Sequence, residues 1–304
     1  MTSNFFGPVR PLETGARIAL VAPSGILPDP AHVERAQENV HSLGWTPILG
    51  PNASARYGYL AGRDDERLAD LNSALADDSI DAIWCVRGGY GAMRLLSDID
   101  YAALKSNPRP VIGFSDITAL HSAIHRECGI VSFHAPTARG ELSDFSRESL
   151  VRALVDQNDS CGIAEGGRVL RKGRARGRLA GGNLALVSSL MGTPYSVAFE
   201  GAILVLEDID EAVYRVDRML RQLVLSGALS RCVALVAGDF RPPSGETEVD
   251  NRGIDDVIAE AADLAGIPCF SGAPFGHIHD QWTLPLGATA EMDTSDLSLH
   301  IVSS

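Results

Sequence analysis

Residues 110–120 read Pro110-Val111-Ile112-Gly113-Phe114-Ser115-Asp116-Ile117-Thr118-Ala119-Leu120. An apolar run typical of a buried strand ends at one serine, and a helix-like run begins at the next residue. This pattern predicts a sharp strand-to-helix turn that exposes the Ser115 hydroxyl beside the unpaired N–H groups of a helix N-terminus. Nucleophilic hydrolases use such a turn, because the free N–H groups can stabilise an oxyanion. A serine followed by an aspartate is equally typical of an ordinary helix N-cap, so the turn alone leaves both interpretations open.

Apolar runs of the same kind lie on both sides of this stretch, and helical patterns separate them. The expected strands are residues 18–22, 45–49, 80–86 and 111–114. The expected helices are residues 30–43, 64–75 and 117–126, together with one that begins at residue 91. Continuous apolar strands that alternate with helices are typical of an α/β fold, in which a doubly wound parallel sheet is covered on both faces.

The pattern changes between residues 141 and 178, where polar and Gly-rich segments predict a boundary between domains. We expect one domain over residues 1–165 and a second over residues 166–304. The basic run 168–178 is interpreted as a solvated connector, since short charge runs are usually solvent-exposed. In the second domain, helices are expected at 183–190, 213–225 and 255–265, strands at 202–206 and 232–237, and a hairpin at 289–301.

Composition limits the class of partner and the compartment. The 304-residue chain carries a formal charge of −13, which disfavours nucleic acid as a partner. It has no apolar run of the roughly 18–20 residues that a membrane span needs, and no secretory signal pattern at its start. Its five cysteines are widely spaced and form no C-x-x-C pair, a pattern that favours a reducing compartment over disulfides or zinc. We therefore expect a cytoplasmic protein with no membrane partner.

Ligands of open parallel sheets bind at the carboxyl ends of the strands, and three such ends carry suggestive residues. They are Ser24, the run Arg87-Gly88-Gly89-Tyr90-Gly91, and Ser115. The glycine run allows close backbone approach and offers N–H groups to an anion, although a tight turn would also explain it. The glycine run could supply one oxyanion donor for a nucleophilic Ser115, and the Asp116 amide could supply the other.

A nucleophilic serine needs a base and an orienting carboxylate. Two histidines are candidate bases: His277, in a loop flanked by Gly and Pro, and His134, after a strand-like run. Glu207 follows an apolar strand and is the best candidate carboxylate. The His121/His125 pair and the His277-x-His279-Asp280 segment look superficially like metal ligands, but neither has a further ligand cluster at a plausible spacing, and we expect no metal.

Taken in order, the motifs of this chain resemble those of the LD-carboxypeptidase family of serine peptidases, which also contains the microcin C immunity proteins. The residues that carry the resemblance are Val21-Ala22-Pro23-Ser24-Gly25, Leu60-Ala61-Gly62 with Arg67 to Leu71, Arg87-Gly88-Gly89-Tyr90-Gly91, Gly113-Phe114-Ser115-Asp116, Gly181-Gly182-Asn183-Leu184, Leu206-Glu207-Asp208, Tyr214 to Leu220, Gly276-His277, and Leu284-Pro285-Leu286-Gly287. Each motif is weak alone, whereas the ordered set covers nearly the whole chain.

The resemblance implies a triad of Ser115 as nucleophile, His277 as general base and Glu207 as orienting carboxylate. It implies an oxyanion hole from the Gly89 and Asp116 amides, and a cytosolic homodimer without metal or cofactor. The implied fold is an N-terminal flavodoxin-like domain carrying the serine, and a smaller C-terminal mixed α/β domain supplying Glu and His.

Two branches of the family differ in substrate. Carboxypeptidases release terminal D-Ala from muropeptide tetrapeptides in cell-wall recycling, and immunity enzymes cleave peptidyl or aminoacyl sulfamoyl-adenylates. The immunity branch tends to carry an extra loop with a Trp, whereas residues 192–201 here are short and hold none. We therefore expect a carboxypeptidase acting on a small peptide. One departure from the family pattern is His134-Ala135-Pro136, where the family usually has His-Gly-Pro.

Exopeptidase specificity needs a group that binds the substrate's terminal carboxylate. Arg87 is the candidate, because a guanidinium binds a carboxylate bidentately, and Gly88 and Tyr90 beside it are further candidate substrate contacts. An ordinary surface ion pair is the competing interpretation of Arg87. A more distant alternative is a non-catalytic module that binds small anions at the Ser24 and Ser115 helix starts, in which Glu207 and His277 have no role.

Overall fold

The computed structural model describes residues 7–243 and 252–302, and in this part of the chain two β-sheets are flanked by eight α-helices. The strands are β1 (Arg17–Val21), β2 (Thr46–Leu49), β3 (Ala82–Cys85), β4 (Val111–Gly113), β5 (Ser132–His134), β6 (Gly162–Ile163), β7 (Arg168–Arg171), β8 (Arg174–Asn183), β9 (Ala202–Ile209), β10 (Ala234–Arg241), β11 (Cys269–Ser271), β12 (Leu284–Leu286), β13 (Thr289–Asp293) and β14 (Ser298–Ile301). The helices are α1 (Ala31–Ser42), α2 (Asp64–Ala76), α3 (Tyr101–Ser106), α4 (Thr118–Cys128), α5 (Asp144–Leu154), α6 (Leu184–Ser189), α7 (Val213–Leu225) and α8 (Ile254–Ala265).

The first sheet has the strand order β12-β5-β4-β3-β1-β2. Its strands β1 to β5 are parallel, and the order β2-β1-β3-β4-β5 is that of the flavodoxin-like doubly wound fold. The α/β prediction is therefore confirmed. The central strands are fully buried, as expected for a sheet covered by helices on both faces.

The second sheet has the order β6-β14-β13-β8-β9-β10-β11-β7 and is mixed. Strands β8, β9, β10 and β11 are parallel, whereas β7, β13, β14 and β6 pair antiparallel at the two sides. Helix α7 packs through a stripe formed by Val216, Leu220 and Leu223. The predicted tail hairpin is confirmed as β13 and β14.

The basic run 168–178 is the clearest correction to the sequence-based expectations. It forms β7 and the first half of β8 rather than a solvated connector. Its arginines pair with acids of neighbouring elements, Arg174 with Asp293 at 2.5 Å and Arg176 with Glu291 at 3.2 Å. Because strand side chains alternate between faces, exposed arginines can occupy one face of a real strand, and a charge run alone does not exclude one.

Two further differences concern the predicted helix after residue 91 and the division of the chain. Where the sequence predicts a helix that begins at residue 91, the structure has only a single 3₁₀ turn, Ala92–Arg94. Strand β12 returns to the first sheet and pairs with β5, although it lies within the predicted second domain. The boundary between residues 165 and 166 stays a prediction.

None of the helices among residues 7–243 and 252–302 is long and apolar enough to cross a bilayer.

Candidate functional site

Ser115 lies on the turn between β4 and α4. Strand β4 ends at Gly113, and a single 3₁₀ turn, Ser115–Ile117, leads directly into α4. Ser115 has a φ of 64°, in the left-handed region that a non-glycine residue adopts only at a cost of roughly 1–2 kcal/mol. This is the sharp strand-to-helix turn that the sequence predicts, and it holds the serine in a strained conformation typical of exposed nucleophiles.

The glycine run approaches this turn closely. A Cβ on Gly88 would lie 2.8 Å from the Ser115 Cβ and 3.1 Å from its Oγ, so only glycine fits there without displacing the serine. Gly89 has a φ of 102°, a conformation that side chains rarely adopt. The run therefore brings backbone amides next to the serine, as its position at a strand end predicts.

A buried carboxylate ties the glycine run to the serine turn. The Asp116 side chain is 1% exposed, and its Oδ2 accepts a hydrogen bond of 2.8 Å from the Ala92 N–H. Burial raises the pKa of this carboxyl, while hydrogen bonds from Ser24 and from backbone N–H groups act against that rise. The sequence assigned only the Asp116 amide a role, and the structure shows that its side chain fixes the relative position of two loops.

Arg67 connects the glycine run to a third loop, the turn after β1. It is 1% exposed, and its guanidinium donates to the Pro23 carbonyl, to the Gly91 carbonyl at 3.0 Å and to Asp64 at 2.5 Å. A buried guanidinium needs several acceptors, and here it joins the turn after β1 to the end of the glycine run.

Glu207 and His277 meet although 70 residues separate them. The His277 Nδ1 lies 2.7 Å from Oε2 of Glu207, whose side chain is fully buried on β9. The His277 side chain is 20% exposed. Its ring packs on Phe114, the neighbour of Ser115, with ring centroids 4.8 Å apart. With Nδ1 engaged by the carboxylate, Nε2 is the ring nitrogen available to another group.

The loop that carries His277 is clamped against β10. A Cβ on Gly238 would lie 2.5 Å from the Phe275 carbonyl oxygen, so the loop packs directly on the strand backbone. The Asp239 N–H donates to that carbonyl at 2.9 Å, and Arg241 donates to the His277 carbonyl at 3.0 Å. These contacts restrict the position of the imidazole.

His134, the other candidate base, lies in a different environment. It is fully buried, with its ring edge-on to Phe114 and Phe275 at centroid distances of 5.8 and 5.9 Å. Neither ring nitrogen has a hydrogen-bond partner among the described residues, and burial holds the pKa of His134 well below its usual range. A neutral imidazole without a carboxylate partner is a packing group beneath the site rather than its base.

His121 supports the serine turn from α4, and this predicts a pH effect on stability. Its ring is buried, Nε2 lies 2.8 Å from the Gly113 carbonyl, and burial lowers the pKa of His121 from 6.5 to about 4. Between these values the unfolded chain binds a proton that the folded protein does not. Acidification from pH 7 to pH 4 therefore favours unfolding through this residue by roughly 3 kcal/mol.

The variant His121→Gln retains an N–H donor and loses the titration. We expect its free energy of unfolding, measured by urea titration at several pH values, to fall less between pH 7 and pH 4 than that of the unmodified protein. His41→Gln, on the exposed side of α1, is the control and should follow the unmodified protein. Identical pH dependence in the protein and in His121→Gln would contradict this assignment.

Arg87 and Tyr90 lie at the edge of the site. The Arg87 guanidinium donates to the Ile26 carbonyl, and a Cβ on Gly25 would lie 3.7 Å from its Cζ. Tyr90 is 50% exposed and stacks edge-on against Tyr59 with centroids 5.6 Å apart. Neither residue is buried in the fold, so both remain candidates for contact with substrate.

The described residues contain no group of three or more His, Cys, Asp or Glu side chains arranged to hold a metal ion. His121 donates to a backbone carbonyl, and His279 lies 3.0 Å from Asp280 on the surface. The groups that the structure brings together around the serine turn include a hydroxyl, an imidazole, a carboxylate and backbone amides.

Comparison with known proteins gives the family. Residues 18–135 match the model of the LD-carboxypeptidase N-terminal domain, and residues 176–292 match that of the C-terminal domain. The murein tetrapeptide carboxypeptidase of Pseudomonas aeruginosa is 36% identical over 297 residues, which cover 92% of this chain and 94% of that protein.

Two solved structures share the fold. The muramoyltetrapeptide carboxypeptidase from Oxalobacter formigenes is 30% identical, with a TM-score of 0.82 over 94% of this chain and 98% of its own. The MccF structure in complex with glutamyl sulfamoyl guanosine is 23% identical, with a TM-score of 0.88 over 97% of this chain and 98% of its own. The chain belongs to the LD-carboxypeptidase family of peptidases.

Proposed function

We propose that this protein is a serine carboxypeptidase that hydrolyses an L-to-D amide bond and releases terminal D-Ala from muropeptide tetrapeptides. Ser115 is its nucleophile, His277 its general base and Glu207 the carboxylate that orients the base. The observation that carries the proposal is the 2.7 Å contact between His277 Nδ1 and a fully buried Glu207, next to the strained turn of Ser115. The names of the relatives support the choice of substrate.

In the first half of the reaction, Ser115 Oγ attacks the scissile carbonyl while His277 Nε2 accepts its proton. Glu207 keeps the imidazole in the tautomer with the proton on Nδ1 and stabilises the imidazolium that forms. His277 then protonates the leaving amino group of D-Ala. In the second half, water attacks the acyl-enzyme with His277 again as the base, and Ser115 is released.

The oxyanion that forms at each attack accepts hydrogen bonds from the Gly89 and Asp116 amides. The first amides of a helix have no partner within it, which leaves the Asp116 N–H available. The contact of Gly88 with the serine supports this role, because it brings the glycine run within van der Waals distance of the nucleophile.

Arg87 binds the terminal carboxylate of the substrate, and Tyr90 lines the entrance. One Arg87 nitrogen donates to the Ile26 carbonyl, which anchors the guanidinium and limits the entropy lost when a carboxylate binds.

The decisive experiment incubates the purified protein with a muropeptide tetrapeptide and, separately, with an aminoacyl sulfamoyl-adenylate. We expect release of D-Ala from the first and no cleavage of the second. The second substrate is included because the fold is shared with MccF. Cleavage of the adenylate alone would assign the protein to the immunity branch, and cleavage of neither would favour a non-catalytic anion-binding module.

A glycine beside the triad offers a test of its geometry. Gly276 has a φ of 111°, and a Cβ there would lie 2.9 Å from the Glu207 Cβ and 3.0 Å from its Oε2. Gly276→Ala must displace the carboxylate, and because small misplacements of catalytic groups are costly, we expect kcat/KM for D-Ala release to fall about 100-fold.

The matched control is Gly266→Ala at the end of α8. Gly266 also has a positive φ, 73°, but a Cβ there meets no atom within 4 Å. Gly266→Ala should lower the free energy of unfolding by about 1 kcal/mol through backbone strain and leave the activity unchanged. Equal activity losses in the two variants would show that the contact with Glu207 is unimportant.

We further infer a two-domain organisation over residues 1–165 and 166–304, and a cytoplasmic homodimer that needs no cofactor. Sedimentation of the purified protein tests the dimer, and cell fractionation tests the compartment.

A further inference from the structure

Beside the Arg87 subsite lies a second group of basic side chains, which the mechanism above does not use. Arg139 follows β5, and its backbone N–H donates to the Val86 carbonyl at 3.3 Å, directly before Arg87. Its guanidinium Nη1 lies 3.3 Å from Nε2 of His32 at the start of α1. Two strand ends of the first sheet and one helix thus bring their basic groups together next to the serine turn.

The loop that carries Arg139 is held firmly. Asn39 on α1 donates through its side-chain amide to the Ala138 and Gly140 carbonyls, both at 2.8 Å. The Ala138 N–H donates to the Cys85 carbonyl at 3.1 Å at the end of β3. Arg139 is therefore fixed on both sides by its neighbours, which is the preorganisation expected of a binding group.

Arg139 lacks the acceptors that a guanidinium of its burial normally has. Its Nε is buried without a hydrogen-bond partner among the described residues, and the buried Nδ1 of His32 is likewise unpartnered. The charges that act most on Arg139 are those of Arg87 and Arg35, and both are positive. The acidic side chain near His32 is Asp29, whose Oδ1 accepts from the Ala31 N–H.

The contact between Arg139 and His32 determines the tautomer and the charge of the histidine ring. A guanidinium can only donate, so Nε2 of His32 accepts, and the ring is the neutral Nδ1–H tautomer. Burial and the charge of Arg139 lower the pKa of His32, in agreement with a neutral ring. His32 thus orients Arg139 without neutralising it, and a buried N–H donor remains unsatisfied, which is unfavourable until an anion binds.

The geometry points to Arg139, oriented by His32, as a second anion subsite that binds an internal carboxylate of the substrate on the acyl side of the scissile bond. This inference rests on the proposed function. Arg87 takes the terminal carboxylate of the leaving D-Ala, and Arg139 takes a carboxylate that remains on the acyl-enzyme. Muropeptide stems carry such internal carboxylates, so this subsite would select them over neutral peptides.

The test uses a muropeptide tetrapeptide with its internal carboxylates free and the same peptide with them amidated. We expect the unmodified protein to show a KM about 10- to 100-fold lower for the free acid, the range given by a charge-assisted hydrogen-bonded pair, with little change in kcat. Arg139→Gln should lose this preference while it cleaves the amidated peptide as before. Arg139→Lys, which retains the charge without the planar fork, should keep part of the preference.

Arg152→Gln is the control, because the Arg152 side chain of α5 is exposed and pairs with Glu148. It should keep the full preference. Equal KM values for the two peptides in the unmodified protein would overturn the subsite, even if Arg139→Gln did not fold. If Arg139→Gln raised KM equally for both peptides while its melting temperature was unchanged, that would also overturn the subsite. Release of D-Ala from neither peptide would instead refute the proposed function.

Discussion

Ser115→Ala is expected to reduce kcat for D-Ala release by on the order of 10⁴- to 10⁶-fold, the range seen when a serine hydrolase loses its nucleophile. Ser115 carries the hydroxyl of the 3₁₀ turn Ser115–Ile117, where the glycine run comes within contact distance, and the variant removes this proposed nucleophile. Binding of the peptide should change little, since the subsite proposed at Arg87 remains. Single-turnover kinetics together with peptide binding measured by calorimetry separate the two effects.

Ser115→Gly adds a stability readout to the same experiment. Ser115 has a φ of 64°, which glycine adopts freely and alanine does not. We therefore expect Ser115→Gly to be as inactive as Ser115→Ala and about 1 kcal/mol more stable than it in urea unfolding. Such a result would show that the turn stores strain at the nucleophile.

The control for the serine is Ser122→Ala, farther along α4. Ser122 is 8% exposed, and its Oγ donates to the Tyr195 carbonyl at 2.7 Å. Losing that bond should cost about 1 kcal/mol of stability and no activity. Labelling by an active-serine probe should persist in Ser122→Ala and disappear in Ser115→Ala. Labelling or turnover that survives Ser115→Ala would refute the nucleophile assignment.

Local sequence patterns predicted the parts of this molecule that local chemistry governs. The apolar run before Ser115 and the helix-like run after it predicted the strand, the turn and α4, because a few neighbouring residues determine each of them. The parallel sheet followed from the continuous apolar strands. The interpretation of the basic run 168–178 as a solvated connector was wrong. Its charges are balanced by distant acids such as Asp293 and Glu291, which a local pattern cannot reveal.

The candidate site depends on contacts between distant parts of the chain. The contact between Glu207 and His277 spans 70 residues, and spacing alone gave no sign of it; the ordered family motifs suggested it. Glu207 was expected to follow its strand, whereas β9 continues to Ile209. Sequence patterns did not indicate the contact made by the Asp116 side chain or the role proposed for Arg139, because these depend on burial and on missing partners, neither of which is visible in a sequence.

Glu207→Gln is expected to lower kcat by about 10³- to 10⁴-fold with a smaller change in KM. The amide has nearly the same shape as the carboxylate, but it cannot stabilise the imidazolium that His277 becomes when it takes the serine proton. It can also present an N–H to Nδ1, which would select the wrong tautomer of the ring. In the proposed mechanism Glu207 acts only through His277, so the double variant with His277→Ala should be no less active than His277→Ala alone.

Asp208→Asn is the matched control, since it makes the same chemical change at the next residue of β9, whose side chain points to the other face. The Asp208 carboxylate accepts hydrogen bonds from Asn183 and from the Ala185 N–H at the start of α6, and burial raises the pKa of Asp208 to about 6. Its loss should reduce stability by about 1–3 kcal/mol and change kcat by less than about tenfold. If Glu207→Gln and Asp208→Asn were equally inactive, Glu207 would affect activity by stabilising the fold and not by orienting the base.

Additive losses of activity in the Glu207 and His277 double variant would show that the two residues do not work as one unit.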